Sequence, residues 1–260
     1  MLLHIGAFHL DLNSKQTTLW HLLAPRTRLL CTLLLVFAIA LTPNGRWWTW
    51  AIYGLGALSV ILLSRVTLPV LLKRIAVEFA FVGVVLLGTL FREGGEVLWS
   101  WGVFKITTVG LTVLGSVTLK ALLSLIMLNV LTLTTSIPAL LNALVALRTP
   151  PLLVAILASM YRYINVLIEE FNAMRRAAAS RNLRGKNRWQ RRVIGNMMGS
   201  LFIRTYERGE RVYQAMQARG YQGVPIVEKV PSGGRLDVMA LTITSIWILL
   251  GQAVYLRSGL

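Results

Sequence analysis

Two arginines close the most highly charged helical stretches of this chain. One is Arg181, in Ala178-Ala179-Ser180-Arg181-Asn182; the other is Arg219, in Ala215-Met216-Gln217-Ala218-Arg219-Gly220. Each is followed by a residue that tolerates a left-handed backbone, Asn182 or Gly220, and such a residue stops a helix. An arginine in a last turn offsets the negative end of the helix dipole, so a single tip has a sufficient local explanation. A pair of tips has a second use. A guanidinium on a rigid end presents planar donors suited to a carboxylate- or carbonyl-lined groove on a partner. That chemistry is docking rather than catalysis.

Other reactive constellations are absent from the sequence. It holds no GxxxxGK[ST] phosphate loop, no HExxH zinc site and no cysteine pair. His4, His9 and His21 all precede the first apolar run, and scattered histidines there read as polar residues rather than metal ligands. Cys31 lies in an apolar run without a mate and reads as core. Acids are nearly absent from the apolar stretches, Glu78 near one end excepted, which weighs against a carrier that needs intramembrane acids. Lys120 is the cation deep in such a stretch. It either snorkels or caps a carbonyl within the bundle, or it anchors the bundle to a partner or to the polar helices.

These residues must be positioned by membrane helices. At 260 residues and 55% hydrophobic, the chain is not an ordinary soluble fold. Several stretches approach the ~20 apolar residues that cross a bilayer. The net charge of +17 is unevenly placed: residues 148–229 hold 15 of the 27 Lys and Arg and 5 of the 10 acids. No aromatic stacking surface accompanies them, so the excess marks a cytoplasmic face and not nucleic-acid binding. The N-terminal residues lack the basic start and apolar core of a secretory signal.

Spans are expected at about 29–42, 49–64, 75–91, 107–133 and 237–256, making five. A sixth at about 150–167 is the alternative, and it would reverse the side of the C-terminus. Pro43-Asn44-Gly45 is a turn, and Trp47, Trp48 and Trp50 mark the interface beyond it. Arg26 and Arg28, then Arg65, Lys73 and Arg74, form basic clusters, whereas the polar loop with Arg92, Glu93, Glu96 and Lys105 is balanced. This alternation puts the N-terminus in the cytoplasm of a multi-pass inner (plasma) membrane protein.

Beyond residue 136 the pattern changes. A short amphipathic helix over 137–147 is followed by Pro150-Pro151 and a long helix to Arg181, then by a second from Trp189 to Arg219. Gly195 and Gly199 share a face that permits close crossing by another helix. Leu201, Thr205, Arg208, Val212 and Met216 recur at helical spacing, an apolar stripe that Arg208 interrupts. The expected organisation is an N-terminal cytoplasmic segment (1–25), a bundle of four spans (26–136), a cytoplasmic region with two long helices (137–230) and a C-terminal span (231–260). The fold class is all-α: a polytopic membrane helix bundle with long cytoplasmic helices.

At these residues the chain resembles the transmembrane coupling (T) component of energy-coupling factor transporters, and most closely the cobalt branch, CbiQ. The family carries Ala-Arg-Gly signatures at the ends of two coupling helices. The second is intact here as Ala218-Arg219-Gly220, while the first stands as Ser180-Arg181-Asn182. Thr134-Thr135-Ser136, the block Met160-Tyr161-Arg162-Tyr163-Ile164, Glu169-Glu170, Gly199-Ser200-Leu201, Arg204 and Glu207-Arg208 extend the likeness, as does the early Asp11/Asn13 segment. Lys120 falls where relatives often have arginine, and Arg162 is a further structural or coupling candidate. The resemblance implies a non-catalytic subunit that binds no cofactor and no metal itself. Its partners would be two cytoplasmic ATPase subunits, which hold the ATP and grip Arg181 and Arg219, and a membrane subunit that captures the substrate. Cobalt is the cargo this branch implies; nickel or a vitamin is the alternative, as is a self-sufficient ion or solute carrier.

Overall fold

A computed structural model of the chain describes residues 18–45, 47–89, 97–101, 104–181, 188–221 and 234–257. Among them the chain is an all-α membrane helix bundle with one small hairpin. A single turn, α1 (Leu19–Leu22), leads into α2 (Pro25–Leu41), α3 (Trp47–Ser64) and α4 (Leu68–Thr89). Strands β1 (Val97–Trp101) and β2 (Phe104–Thr107) precede α5 (Thr108–Thr134) and the short α6 (Ile137–Ala146). Two long helices follow, α7 (Pro151–Ser180) and α8 (Arg188–Ala218), and α9 (Arg235–Arg257) ends the fold.

Local chemistry sets the boundaries. Pro25 and Pro151 open α2 and α7, where a missing N–H costs nothing. Thr107 caps α5, its Oγ1 accepting the Gly110 N–H at 3.0 Å. The Pro43-Asn44-Gly45 turn forms with Gly45 at φ +88°, and its N–H donates to Ser116 Oγ at 2.9 Å. The hairpin departs from the expected polar loop. Val97 pairs with Thr107, Trp99 with Ile106, and Trp101 with Phe104, residue types that favour strands.

The chain divides into two units, Met1–Ala143 with Pro231–Leu260, and Leu144–Val230. The division falls after Ala143, within α6. In the first unit Cys31, Leu35 and Ile39 of α2 pack with Tyr53 and Val60 of α3 and with Met127 and Val130 of α5. Cys31 is buried there as a free thiol, as expected of a core residue. Glycines let α3 and α9 approach closely. A Cβ on Gly56 would stand 2.6 Å from Trp247 Nε1, and one on Gly251 would stand 2.8 Å from the Tyr53 ring. Gly56 leaves room for Trp247 Nε1 to donate to the Ile52 carbonyl at 2.9 Å. Between α4 and α5, Asn129 Nδ2 donates to Glu78 at 2.6 Å, so the acid of the apolar region has a polar partner.

Among the described residues, α3, α5, α7 and α9 are long and apolar enough to cross a membrane. Two of the expected spans differ from this set. Helix α2 has 17 residues, and α4 carries Lys73, Arg74 and Glu78 in its first half. Helix α7, the alternative sixth span, qualifies instead through its first half.

Candidate functional site

The second unit is built on α7 and α8. The apolar first half of α7 gives way to Glu169, Glu170, Arg175 and Arg176 with no breaker, so 30 residues stay helical. Helix α8 adds 31. The two are joined across their faces by Glu170, which pairs with Arg208 at 3.1 Å and with Arg204 at 3.7 Å. Arg208 therefore does not interrupt a packing stripe but provides an ionic contact to α7. Leu201 is buried about one turn before Arg204. Arg208 and Arg204 are partly exposed, so each pair contributes no more than about 1 kcal/mol and serves chiefly to fix the register.

From that junction each helix runs on to an arginine. Helix α7 ends at Ser180, and Arg181 is its C-cap, the N–H donating to the Ala177 carbonyl at 3.3 Å. Helix α8 ends at Ala218, and Arg219 follows in the same position. Gly220 takes φ +82°, its N–H donating to the Gln217 carbonyl at 2.9 Å, while the Tyr221 N–H reaches the Met216 carbonyl at 3.0 Å. These are the bonds of a glycine-closed helix end, so Gly220 fixes the tip from which Arg219 projects. Ser180, Arg181, Ala218, Arg219 and Gly220 are all exposed. Asn182 lies outside the described residues, as do His4, His9, Asp11 and Asn13.

Near the Arg181 end, α7 and α8 enclose an open groove of about 740 Å³. Met174, Ala177 and Met197 line its floor, and Arg181, Arg192 and Arg204 stand at its rim with Glu170. Sequence reasoning missed Arg192 and named Arg204 only within the family likeness. Their signal was a spacing of four along α8, in which Arg192, Asn196, Ser200, Arg204 and Arg208 form one polar stripe. An apolar floor with guanidinium donors at its edge can hold an acidic or carbonyl-rich segment. It supplies binding and not bond-breaking chemistry.

Gly195 and Gly199 are exposed on α8, and a Cβ on either would meet nothing within 4 Å. The side of α8 that meets α7 carries Val193, Met197 and Ser200 instead. The close helix crossing made by glycine lies in the bundle, at Gly56 and Gly251. Lys120 also stays within the bundle, its Nζ 5.6 Å from the centre of the Trp50 ring. Arg162 is exposed on α7.

The described residues thus hold a membrane helix bundle and a pair of long helices, each followed by an exposed arginine. The family of cobalt transport proteins, CbiQ, matches residues 16–231. Energy-coupling factor transporter transmembrane protein EcfT 1 of Listeria monocytogenes is 31% identical over 218 residues, which is 79% of this chain and 81% of that one. The EcfT protein of Bacillus subtilis is 31% identical over 223 residues, 80% of this chain and 82% of its own length. A putative fused cobalt transport protein, CbiMQ, of Methanocorpusculum labreanum is 35% identical over 159 residues, 58% of this chain and 26% of that protein. The chain belongs to the CbiQ family of transmembrane components of energy-coupling factor transporters. Its relatives are transporter subunits, not enzymes.

Proposed function

We propose that this chain transmits the motion of two cytoplasmic ATPase subunits to a separate membrane subunit that captures cobalt. In this reading Arg181 and Arg219 each seat in one ATPase subunit, and α7 with α8 forms the lever between them. The observation that carries the reading is the shared position of the two arginines. Each is the first residue beyond a long helix, exposed, and on a different helix of an ion-paired couple. One guanidinium per helix end provides one strong, directional contact per partner. The groove beside Arg181 would widen that contact for one of the two.

The cobalt cargo rests on the description of the matching family and on the fused CbiMQ relative. The chain's own residues supply docking and transmission, so ATP and the ion would both be held elsewhere. The basic excess over residues 148–229 supports a cytoplasmic lever and a cytoplasmic N-terminus.

The test is a charge-reversed chain, Arg181→Glu with Arg219→Glu, expressed with its ATPase subunits and the neighbouring membrane subunit. The ATPases should no longer co-purify and cobalt(II) uptake should be lost, while the chain still accumulates in the membrane. Normal assembly and uptake would sink the proposal. Uptake of nickel(II) or a vitamin in place of cobalt(II) would change the cargo and keep the lever.

A further inference from the structure

At one end of the bundle, two side chains satisfy the termini of three helices, two of these termini from another helix and the start of α9 from α9 itself. Arg28 of α2 is 7% exposed and spends its donors on three carbonyls. Its Nη1 donates to Thr134 at 2.8 Å, its Nη2 to His21 at 2.6 Å, and its Nε to Leu23 at 3.1 Å. Thr134 is the last residue of α5, where carbonyls have no helical partner and a cation is favoured. Trp20 Nε1 adds a bond to Thr134 Oγ1 at 3.1 Å.

Asp237 of α9 performs the converse task. It is 6% exposed, and its two oxygens accept from two helix starts: Ala24 N–H at 2.8 Å, the N-cap of α2, and Gly234 N–H at 2.9 Å, just before α9. An anion is favoured at both. Asp237 also lies within electrostatic reach of Arg28. Arg28 thus closes α5, while Asp237 closes α2 and α9. The start of α9 is capped from within its own helix, but the end of α5 and the start of α2 are capped from another, so neither can shift without exposing a polar group on the helix that caps it.

The helices tied this way flank the second unit in the chain. Through α6, α5 leads to the exit after Ala143, and α9 follows the re-entry at Pro231. We propose that Arg28 and Asp237 are positioning residues for energy coupling, holding the exit and re-entry of the lever segment as one rigid footing. The inference rests on the lever reading above. Force applied through α7 and α8 reaches the bundle along both chain passages. It moves the bundle as a body only if α5 and α9 cannot fray separately.

The experiment uses the full chain assembled with its ATPase and membrane partners in lipid nanodiscs, with Arg28→Lys, Arg28→Gln and Asp237→Asn variants. Amide hydrogen exchange is followed at 131–136 and 234–238, and cobalt(II) uptake is measured per ATP hydrolysed. Asp237→Asn and Arg28→Gln should each raise exchange at both segments, with the ATPases still bound. Uptake per ATP should fall by about fivefold or more, and Arg28→Lys should recover part of the loss. Exchange that rises only in the mutated residue's own segment, or unchanged uptake per ATP, would overturn the proposal. If Arg28→Gln does not accumulate, the isosteric Asp237→Asn decides the matter alone. Failure of the ATPases to bind the unmodified chain would instead overturn the lever reading, and exchange on the chain by itself would still judge the footing.

Discussion

Lys120 Nζ stands 5.6 Å from the centre of the Trp50 ring, so the ammonium of α5 faces an indole of α3 that is 4% exposed. The sequence left Lys120 open to a structural or a partner-binding role. Its contact favours the first. In a low-dielectric setting the ring's negative face partly replaces the water that the ammonium has lost.

A double-mutant cycle tests that pairing. Trp50→Leu should destabilise the chain in detergent more than Lys120→Met, because it leaves a cation facing hydrocarbon. The double variant should be less destabilised than the sum by about 1 kcal/mol. Strict additivity of the melting shifts would show that the two residues do not interact.

Glycines at different places should respond with opposite sign. Gly56→Ala and Gly251→Ala place a methyl against Trp247 and Tyr53, and each should cost about 1–3 kcal/mol by forcing α3 and α9 apart. Gly195→Ala and Gly199→Ala meet open space in a helix interior and should gain about 0.5–1 kcal/mol. Thermal unfolding of the purified chain measures all four, and a destabilised Gly195→Ala would contradict the exposed placement.

Gly220 carries a backbone demand of its own. At φ +82° an alanine costs about 1–2 kcal/mol, whereas asparagine is better tolerated. Gly220→Ala should therefore fray the last turn of α8 and weaken ATPase association, with Gly220→Asn closer to the unmodified chain. Equal binding by all three would separate the helix stop from docking.

The two arginines should differ in weight. Arg219 projects from an end fixed by Gly220, and it should be the stronger contact. Arg219→Ala is expected to weaken co-purification of the ATPases more than Arg181→Ala, which keeps Arg192 and Arg204 at the groove rim. Equal losses would count against this asymmetry.

Much of the helical layout was legible because it depends on local signals. Pro151 and Ser180 bound α7 one residue from where the proline pair and Arg181 placed it, and α8 differs from its expected limits by one residue at each end. The hairpin was hidden because its strand residues sit in a stretch too short and too mixed for a clear period. Arg28 was read as a basic flank and Asp237 was not singled out. Their roles depend on Thr134 and Ala24, far away in sequence, and no window contains such a pairing. Gly56 and Gly251 escaped notice for the same reason, while the Gly195/Gly199 spacing drew attention to a face that touches nothing within 4 Å.

Helix α9 also imposes an order on synthesis. Its indole at Trp247, its Gly251 notch and its carboxylate at Asp237 complete surfaces on α2 and α3 that were made more than half a chain earlier. Until the ribosome has passed the whole of α7 and α8, the Ala24 amide lacks its acceptor and the Tyr53 face lacks its cover. A chain that stops short of α9 therefore leaves a polar amide without its acceptor and an aromatic ring without its cover until α7, α8 and α9 have all been translated.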